Sequence, residues 1–447
     1  MICVTPGNAA LLTDLYELTM ADSYYRRGMR QMATFDLFVR NLPSKRNFLV
    51  ACGLEEALGY LENLTFDDEG IDYLRSLEMF SDGFLEHLRT LSFTGDVCAI
   101  AEGEIAFAGE PLLRVTAPLI EAQIVETFLL NCITFQTMVA SKAARVALAS
   151  GTRQFVDFGA RRTHGADAAL KAARASYVAG AAATSNVLAG DAYGIPVTGT
   201  MAHSYIMAFP TEIDAFRAFA RDFPHHSVLL VDTFDTEAGA RRAVQVAQEL
   251  KDEGCELMGV RLDSGDLDAL SRSVRTILDD AGLRDVKIVA SGDLDEYRVD
   301  ELVAAGAPID SFGVGTQLGT SGDAPSLGGV YKLVAENGRP KMKLSTGKVT
   351  LPGIKQVFRT SRGGVYERDV IALDDEEVDG RPLLQLVMKE GRLIVEHDPL
   401  ELIRERCLDG LNHLPEDLKS LERRTPFEVA LSPRLDALVS ETLGRGG

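Results

Sequence analysis

Arginines, aspartates, a histidine and paired glycine turns recur through the middle third of this chain, and together they suit a substrate bearing phosphate. Arg161 and Arg162 lie in FGARRTHG (158–165), His203 in GTMAHS (199–204) and Asp232 in VDTFDTE (231–237). Arg261, Asp263 and Ser264 lie in VRLDSGD (260–266), and Ser291, Gly292 and Asp293 in ASGDLDE (290–296). Gly313, Gly315 and Thr316 follow in FGVGTQLGTS (312–321). An arginine fork grips a carboxylate or phosphate through two parallel N–H bonds. An aspartate beside it can hold Mg²⁺ or ribose hydroxyls. Glycine turns let backbone N–H groups approach phosphate oxygens, and a following helix N-terminus adds partial positive charge. Neither glycine loop reads GxxxxGK[ST], which excludes a P-loop ATPase. Phe158 offers a flat face to a ring; the plainer alternative is a core phenylalanine ahead of a solvated helix start. Asp232, at the next strand end, is placed to fix the tautomer of His203. For Arg261 and Asp263 the structural alternative is an ion pair closing a rim. His225 and His226 precede a strand and are expected on the opposite, solvated rim.

Each of these motifs follows a short apolar run and precedes a helical pattern. The predicted strands are 153–158, 195–199, 227–232, 257–262, 286–290 and 309–313. A parallel strand followed by a helix is a βαβ unit. Repetition at about 30-residue spacing builds an α/β barrel or a doubly wound sheet, in which the strands' C-terminal ends face the ligand. Upstream, residues 11–28 read as a helix opened by Thr13 or Asp14, with Asp14 and Glu17 spaced as a capping box and Gly28 as the stop. Residues 33–40 alternate like a half-buried strand, 54–92 read as helical, 96–117 as a small antiparallel sheet and 119–149 as a long helix. Beyond 330 a hairpin turning at Asn337-Gly338 is expected. Residues 399–424 read as helical again, and the extreme C-terminus shows little pattern.

The composition bounds the classes. A chain of 447 residues, 46% hydrophobic and 25% charged, is globular and too long for one ordinary core. Its net charge of −20 argues against a nucleic-acid partner. Six cysteines without CxxC spacing read as reduced and structural, neither a disulfide framework nor a zinc site. No apolar run reaches the ~18 residues of a membrane span, and MICVTPGNAA has no basic region leading an apolar core. A cytoplasmic protein with no membrane partner is the expectation.

In combination and order, these motifs resemble those of the nicotinate phosphoribosyltransferase family, its bacterial members in particular. The resemblance runs through LLTDLYELTMADSYY (11–25), FGARRTHG, GTMAHSY, VRLDSGDL, both glycine loops and KVTLPGIKQVFR (348–359). It implies an α/β fold: an irregular barrel of the type II phosphoribosyltransferase kind packed on a mixed α/β N-terminal domain, with a C-terminal extension. The corresponding boundaries are 1–135, 136–330 and 331–447. It implies transfer of phosphoribose from phosphoribosyl pyrophosphate to nicotinate, giving nicotinate mononucleotide and pyrophosphate in NAD salvage. ATP and Mg²⁺ are the implied cofactors, and a homodimer with shared active sites the implied assembly. Residue by residue, His203 matches a phosphorylated histidine and Asp232 the carboxylate orienting it. Phe158 matches a ring stacking on the pyridine, and Tyr16, with Asp14, the aromatic a partner subunit supplies on the other face. Arg161 matches a residue near the ring's carboxyl group, Arg40 a further phosphate arginine, and Arg261, Asp263 and Ser264 the pyrophosphate and ribose contacts. Ser291, Gly292, Asp293, Gly313, Gly315 and Thr316 match the 5′-phosphate site. The metal ligands stay open, with Mg²⁺ nearest Asp263. The rivals are nicotinamide and quinolinate phosphoribosyltransferases, a phosphosugar aldolase or isomerase barrel, and a metabolite sensor.

Overall fold

A computed structural model describes residues 4–343, 350–422 and 426–445; readings that fall on Cys3, on 348–349 and on 423–424 lie outside them. The chain divides into two compact units, Met1–Ser141 with Ser326–Gly447, and Lys142–Pro325.

The first unit is built on a seven-stranded antiparallel sheet. Its strand order is Arg339–Pro340, Gly329–Glu336, Met32–Val39, Pro111–Pro118, Asp96–Ile100, Leu384–Lys389 and Arg392–Leu393. Residues 331–447 therefore contribute to the N-terminal sheet and to the unit it organises. Ala33 pairs with Glu336, and Ala99 with Gln385. Met32–Val39 is buried at every position but the first, on both faces of the pleat, because it runs through the sheet's interior. Asn337 and Gly338 turn the hairpin with φ of 46° and 72°, both left-handed as a type I′ turn needs. The long helical reading breaks at Val125, into Leu119–Ile124 and Glu126–Ser150. A helix, Pro433–Arg445, occupies the patternless C-terminus and buries Leu435.

Helix Leu15–Arg26 starts at Asp14, but no capping box forms there. Asp14 instead accepts a hydrogen bond from the Thr127 hydroxyl. Glu17 points inward and is bonded by Thr13 and Thr127. Burial pushes the Glu17 carboxyl up to about 7, with Glu126 and Asp14 adding to the rise while the two threonines oppose it. An acid raised on folding stabilises the fold fully at pH below its unfolded value. That contribution is lost as pH rises from there through 7. Glu17→Gln is therefore expected to flatten the melting temperature across pH 4.5–7 and to raise it at pH 8 by about 2 °C. A thermal melt at each pH checks this; an unchanged pH slope would refute it.

The second unit holds six parallel strands in the order Ala183–Thr184, Gln154–Asp157, Ser311–Val314, Lys287–Ala290, Gly259–Leu262 and Val228–Leu230. They form a parallel half-barrel, as the alternation of strands and helices predicts. Phe155 and Phe312 are fully buried in it, each stabilising by roughly 1.5–3 kcal/mol. One strand differs from the sequence reading. The second is Ala183–Thr184, and 195–199 adds only a single bridge, Thr184 to Val197. Pro196 has no N–H to extend a ladder, and residues 197–199 are exposed. No described helix is long and apolar enough to cross a membrane, and the five described cysteines are free thiols.

Candidate active site

The C-terminal ends of the parallel strands surround one open cavity of about 650 Å³, built from the second unit. Phe158, Arg161 and Arg162 line it from the turn after Gln154–Asp157, and His203 from the start of a short helix. Arg261 and Asp263 enter from the end of Gly259–Leu262, Ser291 to Asp293 from the next loop, and Gly313, Gly315 and Thr316 from the last. His225 and His226 are exposed ahead of Val228–Leu230, at the other end of the sheet.

The close approaches explain why glycine occupies these turns. A Cβ on Gly313 would lie 2.4 Å from the Phe158 ring, so the ring packs directly against bare backbone. Phe158 is half-buried, which leaves part of the ring to the cavity and sets aside the purely core reading. Gly292 has φ of +93°, and a Cβ there would lie 1.9 Å from the Asp263 carbonyl oxygen. Backbone and side-chain bonds join the same two turns: Ser291 N–H donates to Leu262 O at 2.8 Å, and its hydroxyl to Asp263 Oδ1 at 2.5 Å.

The histidine's surroundings differ from the expectation. His203 Nδ1 lies 3.1 Å from Thr233 Oγ1, and Nε2 lies 3.6 Å from Asp263 Oδ2. Asp232 does not orient the ring directly. Its Oδ2 accepts from Asp263 N–H at 2.7 Å and from the Ser264 hydroxyl at 2.8 Å. Ser264 is thereby committed to Asp232. The reason is competition: the donors of the next strand's loop occupy the carboxylate. Its Oδ1 stays buried without a hydrogen-bond partner among the described residues. Arg261 donates Nη2–H to Met201 O at 2.9 Å, and its Nε is likewise buried and unpartnered. Burial pulls the Arg261 guanidinium below its usual value, against Asp263 and Asp232, which raise it. It stays a cation with a spare donor, which is what an incoming anion requires.

Sequence reasoning missed Thr233, Thr200 and Ser185. Thr233 sits beside Asp232, and its signal was only that adjacency; Thr200 lies within the GTMAHS motif three residues before His203, and Ser185 lines the cavity from a segment with no motif of its own. Tyr16, Asp14 and Arg40 belong to the first unit. Tyr16 is 48% exposed; burial of its hydroxyl and the carboxylates of Glu126, Glu17 and Asp14 push that group up, so it is neutral. Arg40 is half-buried at the end of Met32–Val39, its N–H bonded to Gly328 O. Among the described residues, no three His, Cys, Asp or Glu side chains converge to hold a metal ion by themselves.

Three family models match the chain in sequence. The nicotinate phosphoribosyltransferase N-terminal domain matches residues 11–134, the nicotinate phosphoribosyltransferase family 153–346, and the nicotinate phosphoribosyltransferase C-terminal domain 377–439. A nicotinate phosphoribosyltransferase of Mycobacterium tuberculosis is 50% identical over 428 residues, covering 95% of this chain and 92% of that one. One of Bacillus subtilis is 41% identical over 456 residues, with 95% and 93% covered. The crystal structure of human nicotinic acid phosphoribosyltransferase superposes with a TM-score of 0.88 at 32% identity, covering 96% of this chain and 99% of that one.

Proposed function

We propose a division of labour within the cavity from one premise: the chain belongs to the nicotinate phosphoribosyltransferase family. Its reaction is the conversion of nicotinate to nicotinate mononucleotide in NAD salvage, with phosphoribosyl pyrophosphate as the donor. Here Phe158 carries the pyridine ring, and Arg161 faces its carboxylate. The backbone N–H groups of Ser291 to Asp293 and Gly313 to Thr316 hold the 5′-phosphate. Arg261 and Asp263 hold the pyrophosphate and the ribose hydroxyls. The observation that carries this reading is the convergence of ring, arginines and two glycine turns on one cavity.

The chemistry follows from those positions. The nicotinate nitrogen is unprotonated and already nucleophilic, so no general base is needed. It attacks the anomeric carbon as the C–O bond to pyrophosphate breaks, and the leaving group carries away the electron pair. Positive charge develops on the sugar, and Asp263, lining the cavity, would stabilise it from the ribose side. Asp263 would hold Mg²⁺ together with oxygens of the substrate phosphates, since magnesium commonly takes one or two carboxylates plus phosphate oxygens. When bound it neutralises the departing pyrophosphate.

ATP couples through His203. With Nδ1 held by Thr233, Nε2 is the free nucleophile, on the side of Asp263. Its lone pair attacks the γ-phosphorus, and the bond to the ADP oxygen breaks. Water later cleaves the P–N bond and returns inorganic phosphate. The phosphorylated ring adds up to two negative charges beside Arg261 and Asp263, enough to rearrange the cationic groups around pyrophosphate. Tyr16 and Asp14 reach a partner's cavity in a homodimer, and Arg40 adds a phosphate contact.

Incubation of the chain with nicotinate, phosphoribosyl pyrophosphate, ATP and Mg²⁺ is expected to yield the mononucleotide with release of ADP. Omission of ATP should slow synthesis, and nicotinamide should give far less product. Equal rates with and without ATP would overturn the coupling. Tyr16→Ala is expected to raise the KM for nicotinate about fivefold, the loss of a ring contact worth ~1 kcal/mol. An unchanged KM would reject the shared site.

A further inference from the structure

Both glycine loops lead to one charge cluster, buried apart from Asp323. Glu296 is the first residue of helix Glu296–Ala304, directly after the Ser291–Asp295 turn. Asp323 closes the segment that begins at Gly313. Lys142 Nζ contacts the Glu296 carboxylate and lies 2.8 Å from Asp323 Oδ1. Arg145, one helical turn further on, reaches Glu296 Oε1 with Nε at 2.9 Å and donates to the Tyr297 hydroxyl at 2.9 Å. The side chains of Lys142, Glu296 and Arg145 are 1%, 0% and 3% exposed, and that of Asp323 is 18% exposed.

Two cations and two anions balance here, yet such a cluster is a poor source of stability, because desolvation offsets most of the attraction. Its geometry is the informative part. One compact ammonium with three donors serves carboxylates from two different loops. A hydrophobic residue of equal volume would fill the space and join neither.

We propose that Lys142 is a positioning residue for the phosphate site, fixing the separation of the Ser291–Asp293 and Gly313–Thr316 turns through Glu296 and Asp323. Phosphate recognition by backbone N–H groups tolerates little displacement, since each bond needs near-linear geometry at about 2.9 Å. The strands that carry the two turns pair only as far as Ala290 with Phe312, and beyond that pairing the turns need a cross-link behind them to meet that tolerance. The inference rests on the reading of these turns as the 5′-phosphate site.

The test uses the double variant K142M/D323N, which removes one cation and one anion and leaves the Arg145–Glu296 pair intact. Ribose 5-phosphate is the probe, titrated calorimetrically, alongside steady-state kinetics. Binding should weaken about tenfold, and the KM for phosphoribosyl pyrophosphate should rise to match. The KM for nicotinate and label transfer from γ-labelled ATP should stay at parental levels. Parental affinity for ribose 5-phosphate in the variant would overturn the proposal. So would an equal loss for nicotinate, which marks general damage. If the double variant does not fold, Lys142→Arg is read by the same assays: a planar fork keeps the charge but serves two carboxylates poorly, and about threefold weakening is expected. Parental affinity there would also overturn it. If the parent forms mononucleotide but Gly292→Ala leaves its ribose 5-phosphate affinity intact, the loop assignment fails, and the proposal falls with it.

Discussion

His203→Ala is expected to abolish phosphate transfer from ATP to the protein and all ATP stimulation of mononucleotide synthesis. Among the described residues that line the cavity, the His203 imidazole carries the one side-chain nitrogen group that is not a guanidinium. The attack requires the tautomer in which Nδ1–H donates to Thr233, which leaves the Nε2 lone pair on the side of Asp263. Label from γ-labelled ATP, followed through acid-labile phosphate on the chain, reads the step directly. Label entering the alanine variant at the parental level would end the assignment. Thr233→Ala provides the graded companion. It removes one hydrogen bond worth about 1 kcal/mol, so labelling should slow about fivefold rather than vanish. Asp232→Asn should act differently, through the Asp263–Ser264 loop that Asp232 holds. Its larger effect should fall on the KM for phosphoribosyl pyrophosphate.

Gly292→Ala should cripple the use of phosphoribosyl pyrophosphate. The new Cβ would meet a backbone carbonyl at 1.9 Å, and φ of +93° is one that L side chains rarely adopt. Backbone cannot swing aside as a side chain can, so the Ser291–Asp293 turn must move away from the Asp263 loop. A displacement of that kind should lower kcat/KM for phosphoribosyl pyrophosphate by about 100-fold, equivalent to ~2.7 kcal/mol of transition-state stabilisation. Gly306→Ala is the matched control. Gly306 also has positive φ, 65°, but a Cβ there meets nothing within 4 Å. It should cost about 1 kcal/mol of stability and leave the kinetics unchanged. Similar kinetic losses in both variants would mean that strain alone, and not the loop-to-loop approach, explains the result.

The alternation of apolar runs with polar turns is a local property, because a strand's pleat and a helix's periodicity are each written within a dozen residues. That is why the five strand ends carrying Phe158, Asp232, Arg261, Ser291 and Gly313 were legible, together with the glycine turns and the hairpin at Asn337-Gly338. Order and spacing then pointed to the family, whose models match three segments of the chain. Folding alone decided the rest. The pairing of Ala33 with Glu336 joins residues about 300 positions apart through backbone bonds that carry no sequence signature. It draws the C-terminal strands into the N-terminal unit. The choice of Thr233 over Asp232 as the partner of His203 turns on the Asp263–Ser264 loop, one strand away, whose donors bind the Asp232 carboxylate. The joint hold of Lys142 on Glu296 and Asp323 exists only once three separate segments are packed. Residue type and spacing determine which groups are available and on which end of the sheet they emerge. Angles and contacts between them depend on long-range packing, where differences of an ångström separate a hydrogen bond from none.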